Sequence, residues 1–361
     1  MLEASMRPDG IVSVVVPCRN EAGRIDKFLR HLLTQEDASG GQIYEYLIAD
    51  GMSDDGTRET IQAVADHDPR VILIDNPDRF VSSGLNAAIR AAKGGIIVRM
   101  DVHTEYASNY IKECVDTLVT TGADNVGGPW VARGDRYISR AIAAAFRSPF
   151  SAGGAPCHDP EHNGPVDTIY LGCWLKSVFA RIGLFDEELV RDQDDEFNLR
   201  LVRSGGRLWQ SPRIQSWYCP RSSLSALFRQ YRQYGYWKVR VIQKHRRPAS
   251  LRHLVPVLCL AVAATGWVAG LVHWSLGLLY VGLLGFYGLL SLGFSARAAY
   301  TSGRELLPIL PVVFFLFHAG YALGFAAGLL DFVVFHRGVR PAMTVLTRPL
   351  ENAALRKVMP P

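Results

Sequence analysis

Acidic residues stand where the apolar, β-branched runs of this chain stop. The run beginning at Ile11 ends in Val16-Pro17-Cys18-Arg19-Asn20-Glu21, and the next ends in Asp50-Gly51-Met52-Ser53-Asp54-Asp55-Gly56-Thr57. A third, Gly95 to Met100, delivers Arg99-Met100-Asp101-Val102-His103, and Arg191-Asp192-Gln193-Asp194-Asp195-Glu196 leads into a helical pattern over Phe197 to Ser204. Carboxylates so placed accept hydrogen bonds, ligate divalent cations or take protons. Strand ends alternating with helical stretches describe a doubly wound α/β sheet with its ligand site at the carboxyl ends of the strands. Neither of the first two loops has the Gly-x-Gly-x-x-Gly run that lets a backbone approach a pyrophosphate, which argues against a dinucleotide enzyme.

Pro17, Asn20 and Glu21 in the first loop, with Asp50, Ser53, Asp55 and Thr57 in the second, resemble the Pro-x-x-Asn-Glu and Asp-x-Ser-x-Asp-x-Thr signatures of the family 2 glycosyltransferases. The resemblance implies a GT-A fold, a mixed doubly wound sheet between helices, and a nucleotide-sugar donor. Asp50 and Glu21 are then the nucleoside contacts, an Asp suiting the imide N–H of uracil and a Glu the ribose hydroxyls. Pro17, Arg19, Ser53, Asp55 and Asp101 complete the donor-binding set, with Arg79 as a basic residue in the third loop near the nucleotide. Gly84 and Asn86 open the helix after Arg79, and the alanines following them let it pack closely on the sheet.

Family members bind a divalent cation on the donor diphosphate with a strand-end Asp-x-Asp, of which Asp101-Val102-His103 is a variant. Residues two apart share one side of a strand, so Asp101 and His103 converge on one Mg²⁺ or Mn²⁺, and the imidazole tilts the choice towards Mn²⁺. The run before Phe197 resembles the family's Glu-Asp element, with Asp194 as the general base that takes the acceptor hydroxyl's proton. Gln193 stands where Glu is usual, which leaves the register between Asp194 and Asp195 open. Acids there also favour the positive end of a helix. On the acceptor or diphosphate side stand Trp174, an aromatic face for a sugar or a core residue, Asp195, and Arg229, Arg232 and Trp237 from an interrupted Gln-x-x-Arg-Trp element.

The chain has 361 residues, a net charge of +5 and 6 cysteines without paired spacing, which suggests neither a zinc site nor a disulfide framework. No nucleic-acid-binding pattern appears. Four regions are expected: a transferase domain over 1–220, amphipathic interfacial helices over 221–252, a transmembrane region over 253–336 and a basic tail over 337–361. Three apolar segments, Leu254 to Val272, Leu276 to Phe294 and Leu306 to Phe335, approach or exceed the roughly 20 residues that cross a bilayer. Met1 to Gly10 reads as no signal peptide, so the catalytic domain is expected in the cytoplasm, anchored to the inner membrane by a multi-pass region. A third crossing would export Arg337, Arg340, Arg348, Arg356 and Lys357 against the positive-inside rule, so the third segment is expected to cross, kink, re-enter or form a hairpin.

Within the family, Met100-Asp101-Val102-His103 and Tyr234-Gly235-Tyr236-Trp237-Lys238 look most like the succinoglycan-type glucosyltransferases. That resemblance implies metal-assisted inverting transfer of a hexose, with UDP-glucose the favoured donor, to a saccharide on a polyprenyl diphosphate. The alternatives are a polyprenyl-phosphate sugar synthase, a processive synthase, and an inactive membrane-tethered module that binds nucleotide sugar.

Overall fold

The computed structural model describes residues 12–35, 44–248 and 250–345; the expectations for Met1 to Gly10, Arg348, Arg356 and Lys357 fall outside them. The chain opens with β1 (Val12–Cys18), α1 (Ile25–Leu33), β2 (Glu45–Asp50), α2 (Thr57–Ala65), β3 (Val71–Asp75), α3 (Val81–Ala91) and β4 (Ile96–Arg99). There follow β5 (Thr104–Tyr106), α4 (Tyr110–Thr121), β6 (Asn125–Gly127), β7 (Val131–Ala132), α5 (Tyr137–Phe146) and α6 (Pro149–Ala152). Then come β8 (Gly164–Pro165), β9 (Cys173–Leu175), α7 (Lys176–Ile182), α8 (Gln193–Arg203), β10 (Leu208–Gln210) and β11 (Ser216–Tyr218). Last are α9 (Leu224–His245), α10 (Val255–Val272), α11 (Trp274–Ser302) and α12 (Leu310–Gly328), the last continuing into a π-helical turn, Leu329–Val334.

These elements fold into two units, one from the described residues of 12–130 and 159–218, the other from those of 131–158 and 219–345. The first unit holds an eight-stranded sheet in the order β3-β2-β1-β4-β9-β6-β10-β8. Strands β1 to β4 pair in parallel, while β9 runs antiparallel between β4 and β6. The expected mixed sheet is therefore present. Continuous apolar runs such as Val14-Val15-Val16 arise because helices cover both faces. Val12, Val14 and Val16 pack with Phe28 and Leu29 of α1 and Ile111 of α4, whereas Val15 packs with Leu85 of α3, Phe179 of α7 and Phe197 of α8.

Trp174 belongs to that second core, 2% exposed, its ring edge-on to Phe179, Phe185 and Phe197. It is a core residue and not a sugar platform: in β9, paired with Ile97 of β4, its side chain faces the covering helices. Gly172, at φ +118°, makes room for it, since a Cβ there would lie 2.4 Å from the indole. Helix α3 begins at Val81, ahead of Gly84, and Asn86 lies inside it. The Asn86 amide donates to the Phe185 carbonyl at 2.8 Å and to Glu187 at 2.7 Å, tying down the Phe185-Asp186-Glu187 segment.

The second unit differs from the expected division, because α5 and α6, interpolated between β6 and β8, belong with the C-terminal helices. Among the described residues three helices are long and apolar enough to cross a membrane, α10, α11 and α12 with its extension. Helix α9 is one 22-residue element capped by Ser223, whose hydroxyl accepts from the Ala226 amide. Trp237 on α9 is 1% exposed and donates to the Met343 carbonyl at 3.0 Å, so it serves the packing of the second unit and not an acceptor.

Candidate active site

The loops after β1 and β2 are laced into one scaffold at the carboxyl end of the sheet. Ser53 Oγ donates to Asp50 Oδ1 at 2.5 Å and accepts from the Asn20 amide at 2.8 Å. Thr57 Oγ1 accepts from the Glu21 amide at 2.8 Å, and Asp55 accepts from the Ala22 and Thr57 amides at 3.1 Å each. Asn20 and Met52 take positive φ, 52° and 54°, as the sharp turns require. Ser53 and Asp55, expected to contact the donor, thus hold the two loops together. Pro17 and Arg19 are half-buried beside them, and Arg79 stands exposed at the tip of the next loop, at φ 67°.

Asp50 is fully buried and also accepts from the Ser53 amide at 3.0 Å and from Arg58 Nη1 at 3.3 Å; the other arm of that guanidinium reaches Asp75 at 2.5 Å. Glu21 is buried alongside. Burial first, then the charges of Glu21, Asp50 and Asp55, push the Cys18 thiol up, so it stays neutral beneath a cluster of acids.

On the neighbouring strand Arg99, 3% exposed, forks between two carboxylates. Its Nε donates to Asp101 Oδ1 at 3.1 Å, its Nη2 to Asp101 Oδ2 at 3.3 Å, and its Nη1 to Asp194 Oδ1. Burial works against the guanidinium's charge, but Asp101 and Asp194 outweigh it and hold Arg99 firmly protonated. Asp194 itself is raised above the ordinary carboxylate range, chiefly by loss of solvent; Arg99 opposes that shift, and Asp101 and Asp195 add to it. The first turn of α8 carries Asp194 to this point, following Asp192 at φ 60°.

The other acids of that turn are engaged elsewhere. Asp195 accepts from Thr168 at 3.0 Å, and Glu196, 4% exposed, forms an ion pair with Arg200 at 2.9 Å. Asp194, not Asp195, therefore shares a cation with Asp101.

His103 lies beyond Asp101 with Nε2 4.0 Å from Oδ2. Ligands of one cation at bonds of about 2.1 Å lie roughly 3 to 4 Å apart, so this pair fits a divalent ion. Among the described residues no three His, Cys, Asp or Glu side chains gather as a metal cage. A wall of aromatic rings adjoins the pair. Trp130 stacks on Tyr170 with centroids 4.9 Å apart, Tyr170 bonds Thr104 at 2.9 Å, and Tyr218 meets Trp130 at 5.9 Å and His103 at 6.2 Å. Trp130 and Tyr170 are partly exposed, so the aromatic surface beside these acids is theirs and not that of Trp174, as read from the sequence. Arg99 and Trp130 escaped that reading. The signals were a lone Arg in the apolar run Ile96-Ile97-Val98 and a Trp directly after Gly127-Gly128-Pro129.

A mixed sheet bearing acids at adjacent strand ends, with helices on both faces, is the architecture of a GT-A nucleotide-sugar transferase. Residues 13–152 match the family model described as Glycosyl transferase family 2. The succinoglycan biosynthesis protein ExoA of Rhizobium meliloti (strain 1021) is 30% identical over 330 residues, covering 88% of this chain and 95% of the relative. A dolichyl N-acetyl-alpha-D-glucosaminyl phosphate 3-beta-D-2,3-diacetamido-2,3-dideoxy-beta-D-glucuronosyltransferase of Methanococcus voltae is 26% identical over 328 residues, covering 88% and 97%. The solved structure of the mannosyltransferase PcManGT from Pyrobaculum calidifontis, in complex with GDP-Man and Mn²⁺, has a TM-score of 0.58 at 20% identity and covers 88% of each chain. The chain belongs to glycosyl transferase family 2 and is a glycosyltransferase. Arg229 and Arg232 lie on α9 of the second unit, the first exposed and the second half-buried.

Proposed function

We propose that this chain is a membrane-anchored inverting glycosyltransferase acting in exopolysaccharide or cell-surface glycan synthesis. It moves a hexose from a nucleotide sugar, UDP-glucose the favoured donor, to a saccharide carried on a polyprenyl diphosphate. The observation that carries this reading is the Arg99 fork, which holds Asp194 beside Asp101 where burial raises its proton affinity above that of an ordinary carboxylate. The name of the Methanococcus relative, which specifies a dolichyl-linked sugar phosphate, supports a lipid-linked acceptor, and that of the Rhizobium relative, a succinoglycan biosynthesis protein, supports a role in polysaccharide synthesis.

Asp50 and Glu21 bind the nucleoside, and Pro17, Arg19 and Arg79 line its approach. Asp101 and His103 would hold a divalent cation, Mn²⁺ favoured over Mg²⁺, which when bound neutralises charge on the diphosphate leaving group; the cation in the PcManGT complex supports this. Asp194 keeps one oxygen on Arg99 and takes the acceptor hydroxyl's proton on the other. The acceptor oxygen bonds the anomeric carbon as the bond from that carbon to the diphosphate breaks, and attack from the opposite face inverts the centre. Trp130 and Tyr170 form the aromatic face for a sugar ring, and Arg229 and Arg232 are proposed for the diphosphate side.

The test uses membranes containing the full chain, incubated with labelled UDP-glucose, Mn²⁺ and a polyprenyl-diphosphate-linked sugar. Label should extend the glycolipid, and EDTA should abolish the transfer. Label appearing on polyprenyl phosphate itself would make the protein a polyprenyl-phosphate sugar synthase instead.

A further inference from the structure

Helix α12 and its π-helical turn make up 25 residues of apolar sequence, enough at 1.5 Å per residue to cross a bilayer of about 30 Å. Its packing within the second unit does not suit a crossing. In α10 and α11 the most apolar stretch is 0% and 6% buried against protein, and in α12 it is 44% buried.

The cover comes first from α9, which runs parallel to α12 in four-residue steps. A Cβ on Gly320 would lie 3.0 Å from the Phe228 carbonyl, one on Gly324 1.9 Å from that of Arg232, and one on Gly328 2.7 Å from that of Tyr236. Further on, Phe332 packs 4.8 Å from Tyr236, lies under Arg240 at 5.5 Å, and its carbonyl accepts from Gln243 at 3.1 Å. Helices in backbone contact over this length share one depth. Arg229, Arg232, Lys238, Arg240 and Lys244 line α9 from end to end, and charges of that number do not enter the hydrocarbon layer.

Other cover comes from α5 and α6, of 10 and 4 residues and too short to cross, and from α10 and α11, where the Tyr287 hydroxyl of α11 lies 2.9 Å from His318 Nδ1. Phe150 meets Phe314 at 5.2 Å, its carbonyl lies 2.8 Å from His318 Nε2, and Phe146 lies 6.5 Å from Phe317. Non-crossing elements therefore touch α12 from Phe314 to Phe332, where a crossing helix would meet them at one end. Its opposite face, Val312, Phe315, Leu323, Leu330 and Val333, is exposed and apolar at helical spacing.

We propose that α12 lies in the surface of the bilayer on the side of the catalytic unit, this face among the acyl chains, and that α10 and α11 are the two crossings. Residues 336–345 then return to the side from which α9 entered, and Arg337 and Arg340 obey the positive-inside rule. The inference does not depend on donor, acceptor or base.

Cysteines introduced one at a time into a Cys219→Ser, Cys259→Ala background, whose remaining Cys18, Cys114, Cys157 and Cys173 are buried, test it in sealed cells with a membrane-impermeant maleimide. Glu161→Cys reports the catalytic unit, Ser275→Cys the α10–α11 turn and Ala342→Cys the segment after α12. Ala342→Cys should follow Glu161→Cys, both labelled at least tenfold more after permeabilisation, while Ser275→Cys is labelled from outside. If Ala342→Cys instead follows Ser275→Cys, α12 crosses and the inference fails. Should Ala342→Cys and Glu161→Cys both label from outside, the inference stands and the cytoplasmic placement of the catalytic unit falls. As a second readout, a bimane on Leu323→Cys should be quenched more by shallow than by deep spin-labelled lipids; the reverse order would overturn the surface placement.

Discussion

Removing the Arg99 guanidinium should move the pH dependence of transfer more than any other single change in the first unit. Arg99→Met keeps most of the buried stem and deletes the cation that Asp101 and Asp194 share. Two carboxylates then face each other in a site with little water, and breaking such a buried pair costs about 3–5 kcal/mol. Part of that cost appears as a further rise in the pKa of Asp194, which loses the charge and hydrogen bond that lowered it and keeps the repulsion of Asp101. An opposite charge at this range ordinarily moves a carboxylate by about 1–3 units. The acidic limb of kcat/KM should therefore shift to higher pH by about 1–3 units, and the rate on that limb should fall roughly tenfold per unit. Arg99→Lys keeps the charge without the fork and should fall between wild type and Arg99→Met. The assay is kcat/KM against pH for the three proteins, with binding of UDP as the check that the Asp50 loop remains folded. An Arg99→Met enzyme that binds UDP and keeps the wild-type acidic limb would refute the assignment of Asp194 as the titrating base.

Asp50→Asn removes the charge that Ser53 and Arg58 surround, and should weaken UDP binding by about 10- to 100-fold, the loss of about 1.5–3 kcal/mol expected for a charged hydrogen bond, as read by calorimetry. Trp130→Ala should raise the KM for a sugar substrate by about 2- to 12-fold, an aromatic contact being worth roughly 0.5–1.5 kcal/mol, with little change in melting temperature. Trp174→Ala should do the reverse, costing about 3–5 kcal/mol of stability. Gly324→Ala places a methyl against the Arg232 carbonyl and should destabilise the α9–α12 pair by about 1–3 kcal/mol, measured as thermal unfolding in detergent, whereas Gly282→Ala on α11, with open space around its Cα, should not.

The strand ends were the most legible part of the sequence. Strands β1, β2 and β4 carry apolar runs buried on both faces, and the acids at or just past their ends, Asp50 closing β2 and Asp101 two residues beyond β4, could be placed by position alone. What periodicity could not convey was which polar groups face one another across the sheet. Ser53, Asp55 and Thr57 are the types that bind a ligand and also the types that brace a turn, and here they brace. Arg99 reads as an interruption of a strand until Asp194 arrives from α8, 95 residues later. Trp174 and Trp130 could not be ranked from sequence, since an indole is buried for its area or presented for its face, and only neighbours such as Phe179 or Tyr170 decide. The apolar composition of α12 reads as a crossing, although Gly320, Gly324 and Gly328 at four-residue spacing mark a face shaped for another helix.

The most direct measurement is glycosyl transfer by the full chain in membranes, wild type against Asp194→Asn, with UDP-glucose, Mn²⁺ and a polyprenyl-diphosphate-linked sugar. The variant is expected to bind UDP as the wild type does and to lose at least 100-fold in kcat, with EDTA silencing what the wild type does. Transfer at the wild-type rate by Asp194→Asn would contradict the role given to the Arg99-held carboxylate.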